Sequence, residues 1–427
     1  MHSFVRELFP LCRSITGDGL RATLKAIGRR IPLVLHEVPT ATPALDWQVP
    51  LEWNVSGAHI ETLDGTVIVD FADCNLHVVS YSMPVNAVVS RDELASHVHT
   101  LPNQPDLVPY RTAYYAEQWG FCLAHRVWET MGDAHYRVRI DSTLAPGSLT
   151  YGELHIPGQE KDEVLLSVHC CHPSLANDNL SGIAVATEIA RHLLGQDNRL
   201  SYRLLFIPAT IGSLTWLARN EAVLPNIAHG LVLSCVGDGG SFHYKQSRRA
   251  NAAIDRIVAH VLGRRPVPHK IMGFSPYGYD ERQYCSPGYD LPVGCFMRSP
   301  NGTFPEYHTS ADNLELVTAE ALEQSLEVLL DVIGVLERNV VFDRIDGRGE
   351  PQLGRRGLYR AISGQKDQAA AQMALLWLLN QADGQHSLLD IADRSGVPFE
   401  QLALAAEAAR KAGLIRPVGS HPNRCQP

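Results

Sequence analysis

The chain has 427 residues, 45% hydrophobic and 19% charged, which is enough for a large buried core and one or two smaller modules. Its net charge of −9 leaves no basic excess to neutralise phosphates, so nucleic acid is not an expected partner.

Charges interrupt the apolar residues of the N-terminus, which argues against a secretion signal or a membrane contact. Nine cysteines without framework spacing favour reduced thiols. We expect a cytoplasmic protein.

The spacing of apolar residues in the N-terminal part of the chain changes near residue 33. Apolar residues within 4–30 recur with helical spacing, which predicts a helix or helix pair that joins the core over residues 1–33. Short alternating runs such as residues 66–71 follow, separated by proline, glycine and Asp-Gly turns, a pattern typical of strands. We therefore expect a small β-rich insertion domain over residues 34–110.

Residues 111–345 are predicted to form an α/β core. Residues 163–169 and 202–208 are apolar runs of strand length, and residues 181–194 between them have the spacing of an amphipathic helix. This alternation predicts a mixed or mostly parallel sheet flanked by helices.

A separate module is predicted over residues 350–427, after a linker rich in glycine and proline. Three helical segments and a short strand give the pattern of a winged helix. From residue 351 onward, nine basic residues accompany six acidic ones, which favours a structural or protein-contact role, including a homo-oligomer, over DNA binding.

Three loops hold residues that suit a catalytic metal. A catalytic zinc needs about three His, Asp or Glu ligands and an open position for water, and ligands of such sheets bind beyond the carboxyl ends of strands. The candidates are His169, His172, Asp178, Asp238 and His308. Taken singly, each has an ordinary alternative, since Asp178 is placed to cap a helix, Asp238 lies in a glycine-rich turn and lone histidines are usually structural.

Three longer motifs carry a family resemblance. They are HCCHPSLANDNLSG at residues 169–182, PYGYDERQYCSPG at residues 276–288 and PEYHTSADN at residues 305–313. They resemble the aminopeptidase-like proteins of uncharacterised-domain type that are related to the M28 zinc peptidases. The resemblance covers nearly the whole chain, including residues 46–54 of the insertion and the C-terminal module. It implies an M28 peptidase-like mixed sheet and a zinc-dependent hydrolase.

The resemblance also implies a set of zinc ligands. M28 enzymes bind zinc through a His, a bridging Asp, a second Asp and a distal His. The matching positions here are His169, Asp178, Asp238 and His308. His172 is a competing ligand, and a thiolate from Cys171 is a further alternative. Cys171 occupies the position at which the peptidases often have an Asp that orients the first His. The resemblance therefore implies that the first His is oriented differently in this chain.

The general base of the family is missing. M28 enzymes place two consecutive glutamates before a glycine, one as general base and one as ligand of a second zinc, and relatives with the present architecture keep only the first. Ala209 and Thr210 occupy these positions. The resemblance therefore implies one zinc ion and a loss of hydrolysis on the order of 10²–10⁴-fold. The change is either engineered, which the intact neighbouring motifs favour, or natural, and Glu306 is an alternative base.

Residues 277–288 have the composition of a loop that grips a polar substrate. Arg282 is suited to a substrate carboxylate and Asp280 or Glu281 to an α-ammonium, beside the aromatic ring of Tyr277. A solvated loop with an internal ion pair is the competing interpretation. Tyr307 is placed to donate to a developing oxyanion.

The expected substrate is a small peptide or an aminoacylated metabolite, cleaved at an amide bond. Related proteins are associated with the biosynthesis of polysaccharides or specialised metabolites. The alternative is a non-catalytic, metal-containing binding or scaffold protein. A transcription regulator is disfavoured by the acidic net charge.

Overall fold

The computed structural model describes residues 1–358 and 365–418. The chain divides into a first unit of residues 1–330 and a C-terminal unit that begins at residue 331. The eight cysteines within the described residues are free. No helix in those same ranges combines the length and the apolar character needed to cross a membrane.

Strands and helices alternate through the first unit. Its strands are β1 Val34–Pro39, β2 Pro43–Ala44, β3 Trp47–Gln48, β4 Glu52–Thr62, β5 Val67–Asp70, β6 Val85–Ser90, β7 Val98–His99, β8 Phe121–Cys122, β9 His135–Ala145, β10 Ser148–Ile156, β11 Glu163–His169, β12 Ser201–Ile207, β13 Ile227–Leu233, β14 Phe242–Lys245, β15 His269–Met272 and β16 Val293–Met297. Its helices are α1 His2–Leu8, α2 Asp18–Gly28, α3 Arg91–Ala95, α4 His125–Thr130, α5 Gly182–Leu194, α6 Ile211–Arg219, α7 Ala253–Arg264 and α8 Glu281–Tyr284. The next helix, α9 Ala319–Arg338, extends past the boundary of the unit.

One large sheet organises the first unit. Its eight strands follow the order β1-β10-β12-β11-β13-β16-β14-β15. The central strands β12, β11, β13 and β16 are parallel to one another, whereas β1 and β10 add antiparallel pairs at one edge. Every residue of β11 and β12 is buried, as expected for strands covered on both faces. The predicted mixed sheet flanked by helices is confirmed.

The β-rich insertion has different boundaries from those predicted. A four-stranded sheet in the order β5-β4-β9-β6 takes its central strand β9 from beyond residue 110. The long β9 alternates exposed and buried residues and pairs with β4 along most of its length. At the other end, β1 pairs with β10 in the main sheet. Both predicted limits, 34 and 110, are therefore wrong, because alternation identifies a half-buried strand but not the sheet that it joins.

The C-terminal unit contains three helices and a small sheet. The strands β17 Val341–Arg344, β18 Asp383–Ser387 and β19 Ile415–Pro417 pair in the order β18-β17-β19. Its helices are α10 Gln365–Gln381, α11 Leu388–Ser395 and α12 Phe399–Lys411. The predicted start at residue 350 is too late, because β17 precedes it and pairs with both other strands. A four-residue strand is too short to show a period in the sequence.

Candidate metal centre

The loops after the parallel strands place the candidate residues. His169 is the last residue of β11. Asp178 lies in the irregular turn Ala176–Ser181, which leads directly into α5. Parallel neighbouring strands end at the same edge of a sheet, so the loops after β11, β12 and β13 meet there, where ligands bind in such folds.

The Asp178 carboxylate is the centre of a histidine cluster. Its Oδ1 lies 2.7 Å from His169 Nε2 and 3.9 Å from His172 Nδ1. Its Oδ2 lies 3.0 Å from His308 Nε2. Asp178 is fully buried, and although burial by itself raises the pKa of this carboxyl, the neighbouring histidines hold the pKa well below its usual range. The loops thus bring together four of the five predicted ligands.

The cluster fits a zinc ion by its donor chemistry. His169, His172 and Asp178 each offer a ligand atom within 4.8 Å of the others. Burial lowers the pKa of His172 to about 3, so its ring is neutral near pH 7, which is the form that binds metals. Its Nδ1 atom is buried and has no hydrogen-bond partner among the described residues. A buried ring nitrogen without a hydrogen-bond partner is costly unless another group binds it.

Aromatic rings fix the positions of the histidines. Tyr307 stacks on His308 with ring centroids 4.0 Å apart, and Tyr110 meets the edges of His172 and His308 at 5.1 Å each. The Tyr110 backbone N–H donates to the His308 carbonyl. His308 itself has a φ of 56°, a left-handed conformation that is uncommon outside glycine and clusters at functional sites. The sequence does not predict the role of Tyr110, because nothing near residue 110 indicates a contact with His308.

A second carboxylate, Asp312, supports the loop that carries Asp178. Its oxygens accept hydrogen bonds from the backbone N–H groups of Asn177, at 2.5 Å, and Asp178, at 3.0 Å. Asp312 is fully buried. It lies within the motif at residues 305–313, but the sequence does not predict its role, because a side chain that accepts hydrogen bonds from backbone N–H groups leaves no sequence pattern.

Asp238 differs from the other predicted ligands. Its Oδ2 accepts from the Asn177 amide at 2.7 Å, and its Oδ1 accepts from Gly240 N at 2.6 Å and Ser299 Oγ at 2.8 Å. These contacts argue against the predicted role of Asp238 as a ligand and make it a support for Asn177.

The alternative ligand Cys171 is also disfavoured. Burial raises the pKa of its thiol to about 12, so the thiolate that binds metals is scarce near neutral pH. Its Sγ lies 3.8 Å from the carbonyl oxygen of Ala209.

The turn after β12 contains no acid-base side chain at the expected position. Ala209 is half-buried and lies just before α6. The Ser213 hydroxyl at the start of α6 reaches the Thr210 carbonyl at 2.8 Å and Asp280 Oδ1 at 2.9 Å. Glu306, the alternative base, is half-buried.

The predicted substrate-gripping loop is largely interior. Asp280 and Glu281 have no exposed surface, and Glu281 Oε1 pairs with Lys245 Nζ at 2.5 Å. This burial argues against their predicted contacts with a substrate ammonium, and the sequence does not show that a lysine from β14 pairs with Glu281. Arg282 is half-buried with its Nε unpartnered, whereas Tyr277 is 75% exposed.

Two tyrosines complete the surroundings of the cluster. Tyr279, from the same loop, stacks on His169 with ring centroids 4.9 Å apart. Burial raises the pKa of Tyr307 above its usual value, so its hydroxyl keeps its proton and remains a donor.

The fold of the first unit defines a structural class, that of the M28 zinc peptidases. The structure resembles a zinc aminopeptidase from Bacillus subtilis, with a TM-score of 0.55 and 14% identity over 78% of this chain and 94% of that chain. It also resembles an M28 peptidase precursor from Shewanella amazonensis, with a TM-score of 0.55 and 14% identity over 79% and 92%. At these identities the likeness shows the fold alone.

The chain belongs to the family described as a domain of unknown function, DUF4910, which matches residues 2–339. Residues 340–417 match a winged helix-turn-helix. A Clostridium acetobutylicum relative, named as a polysaccharide biosynthesis protein with an aminopeptidase-like domain, is 46% identical over 98% of this chain and 96% of its own. A crystal structure from that organism, described as a peptidase, has a TM-score of 0.91 and 45% identity, covering 98% and 96%. The predicted family is confirmed.

Proposed function

We propose that this protein is a zinc-dependent, aminopeptidase-like hydrolase that cleaves an amide bond in a small peptide or an aminoacylated metabolite. The observation that carries the proposal is the buried Asp178 carboxylate, which has histidine nitrogens at both of its oxygens. We assign one zinc ion to the cluster that Asp178 forms with His169, His172 and His308. The free cysteines support a reducing compartment such as the cytoplasm.

The chain's own residues supply binding and orientation. A zinc ion bound here acts as a Lewis acid and lowers the pKa of bound water. Tyr307 keeps its proton and lies against His308, which suits it to donate to an oxyanion that develops on the substrate. Tyr110 and Tyr279 cover the His172 and His169 rings and limit the access of bulk water. Proton abstraction is the weak step, since Ala209 cannot accept a proton.

The relative named for polysaccharide biosynthesis supports a substrate from a biosynthetic pathway. Its aminopeptidase-like domain supports an amide-bearing metabolite with a free amino group.

The first experiment measures zinc content and turnover in the same preparation. We expect one zinc per purified chain, and we expect His308→Ala to lose it. His192 lies on an exposed position of α5, so His192→Ala is the matched control and should retain the metal. A chain that holds no stoichiometric zinc, or a His308→Ala variant that binds zinc as the parent does, contradicts the proposal.

A binding or scaffold role is the second candidate, and Ala209 is the observation that favours it. A panel of dipeptides, aminoacyl amides and acyl-amino acids separates the two functions. Hydrolysis of any member by the chain or by its Ala209→Glu variant supports the enzyme. Binding of panel members without turnover by either protein supports the scaffold.

A further inference from the structure

A cleft on the surface of the first unit takes no part in the metal cluster. It is lined by Pro43, Asp46, Trp47, Gln48 and Tyr115. We propose that this aromatic cleft binds a pyranose ring of a saccharide, and that the saccharide belongs to the substrate whose amide bond lies at the metal cluster. The second part rests on the proposed function, whereas the first part depends on the cleft alone.

Two aromatic side chains form the walls of the aromatic cleft. Trp47 is 51% exposed and Tyr115 is 52% exposed. Their ring centroids lie 5.4 Å apart, and the ring planes are inclined by 55°. The inclined rings therefore form a V-shaped surface rather than a closed stack. Large aromatic side chains that stay half exposed beside each other mark a surface that a ligand covers.

The backbone around the aromatic cleft is strained. Leu45 has a φ of 60° and Tyr115 a φ of 63°, and both are left-handed conformations that are uncommon outside glycine. Leu45 belongs to the two-residue turn between β2 and β3, and its side chain is exposed, so burial of that side chain does not explain the conformation. Strained residues of this kind cluster at binding sites.

The polar groups of the lining indicate which kind of ring binds. A pyranose ring has an apolar face of C–H groups and a rim of hydroxyl groups, so it needs an aromatic surface with hydrogen-bonding groups beside it. The Asp46 carboxylate accepts from hydroxyl groups, and the Gln48 amide both donates and accepts. Both residues are exposed at the aromatic cleft.

An apolar occupant would fit this lining less well. An aromatic side chain of a peptide, or an apolar surface of a second copy of the chain, would cover the Asp46 carboxylate without supplying a hydrogen bond, which is costly. The volume of about 370 Å³ is near the lower end of the range of about 300–1,000 Å³ for ligand sites. The aromatic cleft thus suits a short saccharide.

Both walls of the aromatic cleft lead to the candidate site. On one side, β2 lies against α6, the helix that begins just after Ala209 and Thr210. On the other side, Tyr115 follows Tyr114, whose hydroxyl lies 3.0 Å from that of Tyr110, and Tyr110 contacts two histidines of the metal cluster. Five residues of chain span at most about 18 Å, so a substrate with a short saccharide reaches from the cluster to the aromatic cleft.

Fluorine NMR of protein labelled with fluorotryptophan tests the first part. The chain has six tryptophans, and the signal of Trp47 is identified by its loss in Trp47→Phe. We expect the methyl glycosides of glucose, galactose, mannose and N-acetylglucosamine to include at least one that shifts this signal. That glycoside should bind about tenfold more tightly than benzyl alcohol, which offers a ring without a hydroxyl rim, because hydrogen bonds to a charged group contribute that much.

Two variants show whether the lining recognises the hydroxyl rim. Asp46→Ala should remove the advantage of the glycoside over benzyl alcohol. Leu63→Ala, at an exposed position outside the aromatic cleft, is the matched control and should leave both affinities unchanged. A Trp47 signal that no glycoside moves, or glycoside binding that is no tighter than that of benzyl alcohol, overturns the saccharide site. A signal that shifts with protein concentration alone shows that a second copy covers the rings, and this result also overturns it.

Steady-state kinetics test the link to the metal cluster. An alanylated amino-disaccharide is compared with alaninamide, in the chain or in its Ala209→Glu variant. We expect the lower KM for the disaccharide, and Trp47→Ala should raise that KM about 5–10-fold with little effect on kcat, because an aromatic contact made equally in the ground state and the transition state is lost. Equal KM values for the two amides overturn the link. A Trp47 signal that responds to glycosides in a chain without zinc or turnover overturns the proposed function and leaves the saccharide site standing.

Discussion

The two halves of the candidate site differ in how completely their polar groups are matched. The metal half consists of residues 169–182 with His308, and the base half consists of residues 207–213 with residues 277–284. In the metal half, both Asp178 oxygens meet histidines, and one buried polar atom, His172 Nδ1, has no hydrogen-bond partner among the described residues. The base half has Ala209 at the position of the general base, and three of its buried polar atoms have no partner among the described residues, namely Asp280 Oδ2, Glu281 Oε2 and Arg282 Nε.

This contrast shows that metal binding and turnover depend on separate parts of the structure. The strands β11 and β12 are parallel neighbours that pair up to His169 and Ile207, so the two halves begin side by side. A substitution in one loop can therefore remove proton transfer and leave the metal ligands in place. The contrast can be tested in either half.

The largest expected effect comes from restoring a carboxylate in the base half. Ala209→Glu should raise amide hydrolysis about 10²–10⁴-fold, because a positioned acid-base group contributes that much. The measurement is kcat on a substrate from the peptide and aminoacyl panel. Ala209→Gln is the control of equal size that cannot accept a proton. Equal rates in both variants would show that the missing base is not the defect.

Next in size is the buried ion pair beneath the turn. Glu281→Gln leaves the Lys245 ammonium, only 4% exposed, without its charge partner, and we expect the free energy of unfolding to fall by about 3–5 kcal/mol. Urea denaturation measures the change. The double variant Lys245→Met with Glu281→Leu should lose less, because it removes both charges. If Glu281→Gln instead keeps full stability and raises KM, the loop binds substrate as the sequence predicted.

Asp280 should make stability depend on pH. Burial raises the pKa of Asp280 to about 6 from 3.8, so the folded state retains the proton that the unfolded chain releases. The stabilisation from the neutral carboxyl is complete below about pH 4 and is lost as pH rises towards 6. Asp280→Asn should therefore reduce the fall in unfolding free energy between pH 4 and pH 8 by about 2–3 kcal/mol.

The control for Asp280 is an exposed carboxylate. Asp133 is exposed, so Asp133→Asn should leave the pH profile of stability unchanged. The same profile in Asp280→Asn and the parent would show that this carboxyl does not titrate as its burial implies.

The smallest of the four effects concerns the support of the metal half. Asp312→Asn replaces one acceptor of the Asn177 and Asp178 backbone N–H groups by an amide donor, and we expect a loss of about 1–3 kcal/mol in unfolding free energy. Chemical denaturation of the metal-free protein is the measurement. Asp197→Asn, at an exposed position, should change stability by less than about 0.5 kcal/mol. Equal effects of the two substitutions would contradict the support role.

The sequence is most informative where the signal is local. The apolar runs of β11 and β12 and the motif after β11 predict the sheet and the edge at which the site lies. The sequence does not show which distant segments pair with each other. It therefore places the strands β9 and β17 in the wrong parts of the chain.

Within the site, the sequence identifies residue types but not their partners. Asp178, His172 and His308 come from polar motifs that follow strands or precede helices. The roles of Asp238 and Glu281 depend on Asn177 and Lys245, whose contacts are set by tertiary packing. A buried pair and a solvated loop have the same composition, so only the fold distinguishes them.

The short segment from His308 to Asp312 touches the Asp178 turn at two points. His308 Nε2 meets the Asp178 carboxylate, and Asp312 accepts the backbone N–H groups of the same turn. Two attachments four residues apart restrain both the position and the rotation of the turn. The ligand geometry is consequently preorganised when the chain folds, so little conformational entropy would be lost on metal uptake.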